Sequence, residues 1–474
     1  MREENPFRED REELQELLNQ YERLKNGGSH SFLEEDAFER IIDYFDDREE
    51  YAQALEAAET GLEYFPYSSQ LLIKKADLLL ATRKYHEALE VLEQAELFDS
   101  NDINLYILKT DAYLALDQQE KAVVLLEDAL LRFDGEERID LLFELADVYD
   151  DYEEFDKVFD CLKLILEEEP ANEEALYKIC FWTDFTGRNE ESIRLHQKII
   201  EEQPYNELAW FNLAASYQGL KLYEKSIDAY QFAIAIDEKF DYAYRNMGDA
   251  FIRLRKYKEA IEALEKVLEL SRPEEVIFEA IGHCYHRLSN FAQARFHYRK
   301  ASHMNPEDSK LQYKIALTYI NESQWDSAVK HLDNAMRIQK TVPEYNLAMG
   351  QCKMEQEKYK EAIVFFSIVV RSKPRSVTGW EALIRCLYKA GFYDEAVTQC
   401  RAALAATENK PVFYFHYSAS LFAGGKMKEG LLQLEKGMSL APKLVKKLVE
   451  MAPAILQKNQ VVDLIARYKK GRKI

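Results

Sequence analysis

Apolar residues recur along this chain at spacings of three and four, and a small residue returns over them with a longer period. Ala54, Ala88 and Ala122 open a series that continues through Val158, Ser192, Ser226, Ala260, Ala294, Ala328, Ala362, Ala396 and Gly430. Ten of its eleven intervals are 34 residues and one, from Ala122 to Val158, is 36. A period of that length marks a repeat architecture built on one helix–turn–helix unit. With the small residue set at column 20, twelve units begin at Glu35, Ser69, Ile103, Ile139, Glu173, Glu207, Asp241, Glu275, Ser309, Pro343, Val377 and Pro411. Column 8 is again mostly small, as at Ala76, Ala146, Ala214, Gly248, Gly282 and Gly350. Column 11 is mostly aromatic or aliphatic, as at Tyr113, Tyr217 and Phe251, and column 17 carries Tyr51, Tyr85, Phe155, Tyr257 and Trp325.

These columns predict two helices per unit. Columns 4, 7, 8 and 11 share one face of a first helix, and columns 17, 20, 24 and 27 form the matching face of a second. Antiparallel helices approach closely only where one side is small, so columns 8 and 20 mark the contact. The ring at column 17 then covers the joint with the next unit. Proline at column 32, as at Pro66, Pro170, Pro204, Pro306, Pro374 and Pro442, ends the second helix.

The ends depart from the period. Residues 8–25 read as an amphipathic helix with Leu14, Leu17, Leu18, Tyr21 and Leu24 on one face, stopped by Asn26-Gly27-Gly28. Ser31 with Glu34 is the pattern of a capping box for the first repeat helix. Residues 443–468 read as a degenerate thirteenth helix pair, with Leu448, Met451, Ala452 and Ile455 in register but Pro453 inside it and Leu464 in the small column. The insertion near Asp134-Gly135-Glu136 is expected to lengthen one inter-repeat turn. The organisation is therefore an N-terminal helix and linker over 1–34, twelve repeats over 35–442, and a capping pair with a basic tail over 443–474.

The columns resemble those of the tetratricopeptide repeat family, whose pattern has an aromatic at 4, Leu-Gly at 7 and 8, Tyr at 11, Ala at 20, an aromatic at 24, Ala at 27 and Pro at 32. The sixth repeat is similar at Trp210, Leu213, Ala214, Tyr217, Ser226, Tyr230 and Ala233, and the seventh at Tyr244, Met247, Gly248, Phe251 and Ala260. The resemblance implies an all-α, right-handed superhelical solenoid of antiparallel helix pairs. It also implies a concave groove lined by columns 2, 5, 6, 9, 12 and 13 of the first helices.

Charge sharpens that picture. The net charge is −23. Residues 1–200 hold 52 acids and 21 bases, and residues 201–474 hold 33 and 41. By the implied groove columns, repeats one to four contribute carboxylates such as Asp43, Asp46, Asp77, Asp111, Glu144 and Asp147. Repeats five and six contribute Tyr177, Phe181, Phe185, Phe211 and Asn212. Repeats seven to nine contribute Tyr242, Arg245, Asn246, His283, His286, Lys310 and Lys314. The expected groove runs from acidic through aromatic to basic. Aromatic anchors would supply affinity there, and flanking charge orientation and on-rate.

Other chemistry fits less well. The family's two-carboxylate clamp is incomplete, because Asp249 and Ala280 stand where it has asparagines beside Arg245, Lys310 and Lys314. His283 and His286 share a helix face, but zinc takes three or four protein ligands and no third is evident. No phosphate loop, dinucleotide fingerprint or hydrolase elbow is present. No run of 18 apolar residues exists, no secretory signal is visible, and six cysteines form no C-x-x-C pair. The expectation is a cytoplasmic, non-enzymatic scaffold or adaptor with no cofactor and no metal. Its partner is a protein or peptide, not nucleic acid or membrane, with weak self-association through the basic tail as a further possibility. The alternatives are a regulatory receptor for a small or acidic peptide and an accessory subunit of an enzyme complex.

Overall fold

The computed structural model describes residues 6–25 and 32–470, and all its regular elements are helices. Two compact units divide the chain, Met1–Glu238 and Lys239–Ile474. The first holds the helix Pro6–Lys25 and six antiparallel helix pairs, the second six pairs and a terminal group of short helices. Ten first helices begin at the residue that the period predicts. The fourth begins at Glu136 and the twelfth at Val412.

The small columns form the contact between the paired helices. Ala54, Ala88, Ala122, Ala260, Ala294, Ala328, Ala362 and Ala396 are fully buried. Column 8 is small because the side chain at column 24 lies against it. A Cβ on Gly248 would stand 2.9 Å from Leu264, and one on Gly350 would stand 2.6 Å from the ring of Phe366. Both distances lie below ordinary carbon contact, so any added methyl must displace the facing side chain.

The turn between paired helices is also repeated, at column 15. All twelve residues there have positive φ, yet only Gly187, Gly391 and Gly425 are glycines; Arg83, Lys221, Arg255 and Ser323 are among the rest. The conformation closes the first helices of eleven of the twelve repeats in a Schellman arrangement. The N–H at column 16 donates to the carbonyl at column 11, as from Lys84 to Leu79 at 2.8 Å and from Lys256 to Phe251 at 2.9 Å. Tertiary closure holds non-glycine residues in the left-handed region against an intrinsic cost of about 1–2 kcal/mol each. At the other junction, Ser68, Asp102, Asn172, Asn206, Asp308 and Ser376 cap the following first helix through their side chains. Proline behaves as expected: second helices end at Tyr64, Glu168, Glu202, Met304, Ser372 and Leu440, two residues before it.

The irregular places have local causes. The connection before the fourth repeat runs from Leu130 to Gly135, six residues where the others have four or, before the twelfth repeat, five, so the insertion lengthens that turn. The N-terminal helix packs on the first repeat, with Tyr21 buried and edge-on to Phe38 at 6.4 Å. The stop at residues 26–28 and Ser31 lie outside the described residues. The first repeat helix itself has Glu34 at its N-cap without a side-chain cap bond. In the second unit Pro453 breaks the terminal region into Val445–Met451, a 3-10 turn Pro453–Gln457 and Asn459–Lys470. Leu448, Ile455, Val461 and Ile465 still cover Phe415, Phe422 and Leu434.

Two substitutions separate the packing constraint from the turn constraint. Ala260→Leu is expected to cost about 1–3 kcal/mol by overpacking the helix pair. Gly391→Ala, where an added Cβ meets nothing within 4 Å, is expected to cost about 1–2 kcal/mol from backbone conformation alone. Chemical denaturation of the purified variants checks both. An unchanged midpoint for Ala260→Leu would refute the close-approach account.

Candidate functional site

Within the first unit, neighbouring first helices lie side by side. Glu35–Asp46 packs on Ser69–Ala81, that helix on Ile103–Ala115, Ile103–Ala115 on Glu136–Asp151, and Glu173–Thr186 on Glu207–Gly219. Residues four apart climb one face of a helix, so columns 5, 9 and 13 form strips along this row.

On Glu173–Thr186 the strip is Tyr177, Phe181 and Phe185, exposed by 63%, 61% and 58%. Their exposure leaves these large apolar side chains available to a partner. The rings are braced from behind. Phe155, the column-17 residue of the preceding repeat, stacks on Trp182 at 5.3 Å and meets Phe185 edge-on at 4.7 Å. Phe181 lies 4.9 Å from Trp182 and 6.0 Å from Phe185. Phe211, on the next first helix, is half-buried and tilted against Tyr230 at 5.6 Å. Asn212 corrects the expectation of an open groove residue. It is 2% exposed, and its Nδ2 donates to the carbonyl of Leu176 at 2.8 Å, which ties two first helices together.

The acidic strip precedes the aromatic one in the same unit. Asp46 raises the pKa of Asp77, Asp77 that of Asp111, and Asp111 that of Glu144, each in addition to a larger effect of desolvation. Four carboxylates from four successive repeats therefore feel one another. The bases on this row are already engaged, Lys74 by Asp43 and Lys178 by Glu174 at 2.9 Å and Asp147 at 3.7 Å. Asp77, Asp111 and Glu144 have no hydrogen bond or ion pair among the described residues.

In the second unit the expected basic surface is partly neutralised by its own carboxylates. Arg245 pairs with Glu274 at 3.2 Å, Lys314 contacts Glu279 closely, and Arg287 donates to the hydroxyl of Tyr257 at 3.1 Å. Lys310 is exposed and Asn246 half-buried. Burial lowers the pKa of His283, helped by the Lys314 and Arg287 cations, and burial with Arg287 lowers that of His286. His283 stands edge-on to Tyr257 at 6.3 Å, and His286 Nε2 lies 3.2 Å from the amide of Asn321. Cys284, between them in sequence, is fully buried.

The column reading overlooked several residues. Phe143, at column 5 of the fourth repeat, carries the Lys178 ammonium 5.0 Å above its ring. Its signal was the aromatic series Phe143, Tyr177, Phe211 at that column. Trp182 and Phe155 brace the exposed strip from columns outside the groove set. Glu275, Glu279 and Asp308, from the two ends of the eighth repeat, bring carboxylate oxygens within 4.8 Å of one another, with Glu279 already engaged by Lys314.

Comparison with known proteins follows the same segments. A family profile described as tetratricopeptide repeat matches residues 205–273, and a second of that description matches 40–102 and 347–411. A profile described as anaphase-promoting complex, cyclosome, subunit 3 matches 287–367. Among solved structures, the chain is similar to YrrB, described as a TPR protein with an unusual peptide-binding site. That likeness has 19% identity and a TM-score of 0.36, over 40% of this chain and 96% of that one. It is similar to the Cut9-Hcn1 hetero-tetramer of the APC/C at 13% identity and a TM-score of 0.35, over 84% and 97%. A third likeness, to the C-terminal part of a TPR repeat-containing protein from Cytophaga hutchinsonii, has 15% identity and a TM-score of 0.42, over 54% and 99%. Among the described residues no helix is long and apolar enough to cross a membrane.

The carboxylate strip has a pH signature. Desolvation, then Asp111 and Asp147, raise Glu144 from 4.5 to about 7. The folded chain then holds a proton at a pH where the unfolded chain has lost it, so this group adds stability as pH falls through that window and opposes folding above it. Glu144→Gln is expected to unfold at a higher temperature than the parent near pH 8, with the gap narrowing toward pH 5. Thermal unfolding of both proteins across that range checks it. A gap that is constant with pH would show that Glu144 is not held uncomfortably charged.

Proposed function

Because the chain is a tetratricopeptide-repeat protein, we propose that it is a non-enzymatic scaffold that holds a partner protein or peptide on the first-helix face of its first unit. The exposed strip Tyr177, Phe181 and Phe185 carries this reading. Aromatic side chains bury large area at low entropic cost, and those braced in advance lose little more on binding. The ring contacts of Phe155 and Trp182 provide that bracing. Repeats present such a surface pre-formed, without a conformational change. The matched profiles name no enzyme family. Six unpaired cysteines suit a reducing compartment, which supports the cytoplasm as the site of action. The first unit holds 59 acids and 23 bases, a balance that repels nucleic acid.

Capture of partners from native extract tests the assignment when two variants are compared. Tyr177→Ala/Phe181→Ala removes the strip, whereas Phe232→Ala removes an exposed ring on a second helix, where it stacks on Trp210 at 4.5 Å. The strip variant is expected to lose a specific partner by about tenfold or more, since central aromatic anchors contribute on the order of 2 kcal/mol or more. The Phe232 variant is expected to retain it. Equal recovery of every partner by the parent and the strip variant would refute the proposal.

A further inference from the structure

We infer that the partner segment taken by the first unit is an extended basic peptide. Its lysines or arginines meet Asp77, Asp111 and Glu144 in turn, and its next side chain lies on the Phe181 strip. The inference rests on the scaffold reading above and adds the chemistry and spacing of the ligand. Two observations carry it.

The first is charge. The first unit has a net charge of −36 by the counts above, and the three carboxylates on successive first helices are in no ion pair among the described residues, Lys74 acting on Asp77 alone and without pairing to it. They repel one another across the repeats, and desolvation deepens the cost. A cation delivered by a partner relieves the repulsion, and its attraction for the carboxylates offsets their desolvation.

The second is a cation already placed on this face. The ammonium of Lys178 stands 5.0 Å over the ring of Phe143 and within 2.9 Å of Glu174 and 3.7 Å of Asp147. The chain thus uses a ring and two carboxylates to hold its own lysine where the acidic strip meets the aromatic one. One repeat further, Phe181 and Phe185 with the exposed Asp184 offer a ring face and a carboxylate on the same helix. Attraction of a cation to a ring face, worth about 0.5–2 kcal/mol, and to carboxylates acts together at such a place.

The spacing follows from geometry. Packed helices stand about 8–10 Å apart, and a ligand in the extended polyproline II form advances about 3.1 Å per residue and returns to the same face every third residue. One rung per repeat therefore corresponds to about every third residue of the ligand.

Fluorescence anisotropy with the full chain and labelled synthetic peptides of about twelve residues tests this. One peptide carries arginine at every third position and leucine at one end. The others are its order-reversed copy, a copy with the arginines contiguous, and a copy with glutamate for arginine. The spaced arginine peptide is expected to bind in one of its two orders, and to weaken markedly as salt rises. Asp77→Asn/Asp111→Asn/Glu144→Gln, which keeps side-chain shape and removes mutual repulsion, is expected to weaken it at least about tenfold. Tight binding of the glutamate copy, equal binding of the contiguous copy, or unchanged affinity of the triple variant would each overturn the inference. If the triple variant binds normally while Tyr177→Ala/Phe181→Ala does not, the basic ligand is wrong and the aromatic anchor stands. If neither variant changes the binding of any peptide, both readings fail.

Discussion

Everything in this chain depends on how closely two antiparallel helices can approach. Within each repeat a small residue on one helix meets a large one on its partner, as Gly350 meets Phe366 and Gly248 meets Leu264. The contact sets the pair as a rigid unit, and the ring at column 17 then joins that unit to the next. Phe155 shows the join directly, since it reaches from one repeat to stack on Trp182 of the following one. A core built in this way grows by neighbour contacts alone. First-helix faces are left free of packing duty, so they can vary in chemistry without loss of the fold.

That freedom explains why the first-helix face differs so much from one repeat to the next. In the first unit the free columns carry carboxylates, then aromatic rings. The acids are unfavourable neighbours, and the rings are exposed apolar area. Both cost the isolated protein something. A surface with both costs, on a scaffold that could have carried neutral polar residues, is most economically explained by a partner that offsets them. In the second unit the same columns are quieter. Arg245 and Lys314 are held by Glu274 and Glu279, and burial disfavours the charged forms of His283 and His286. The units differ both in the balance of acids and bases and in how far those charges are paired.

Column reading was sound where the face of a helix decides the outcome and weak where a neighbour does. Tyr177 and Phe181 stand exposed, as one strip of one helix. Asn212, one position from Phe211, turns inward and donates to the carbonyl of Leu176 on the adjacent helix, a contact that a single-helix pattern cannot show. Two of the groove bases have acidic partners, Arg245 in Glu274 at the end of its own repeat and Lys314 in Glu279 of the preceding one. Phe143 and Lys178 were passed over because neither stands out alone; their meaning lies in the contact between them.

The sequence by itself determined the repeat, the start of nearly every helix, the small contact positions and the prolines that end second helices. These follow from local spacing and from residue size, which are properties of the chain. Only tertiary structure decided the turn at column 15, where Arg83, Lys221 and Arg255 adopt a backbone that their residue types disfavour. It alone decided which polar side chains are tied between repeats and which are open. Those outcomes depend on the atom that faces each group from another helix. A period of 34 residues says that a neighbour is there, but not which hydrogen-bonding or charged group it presents.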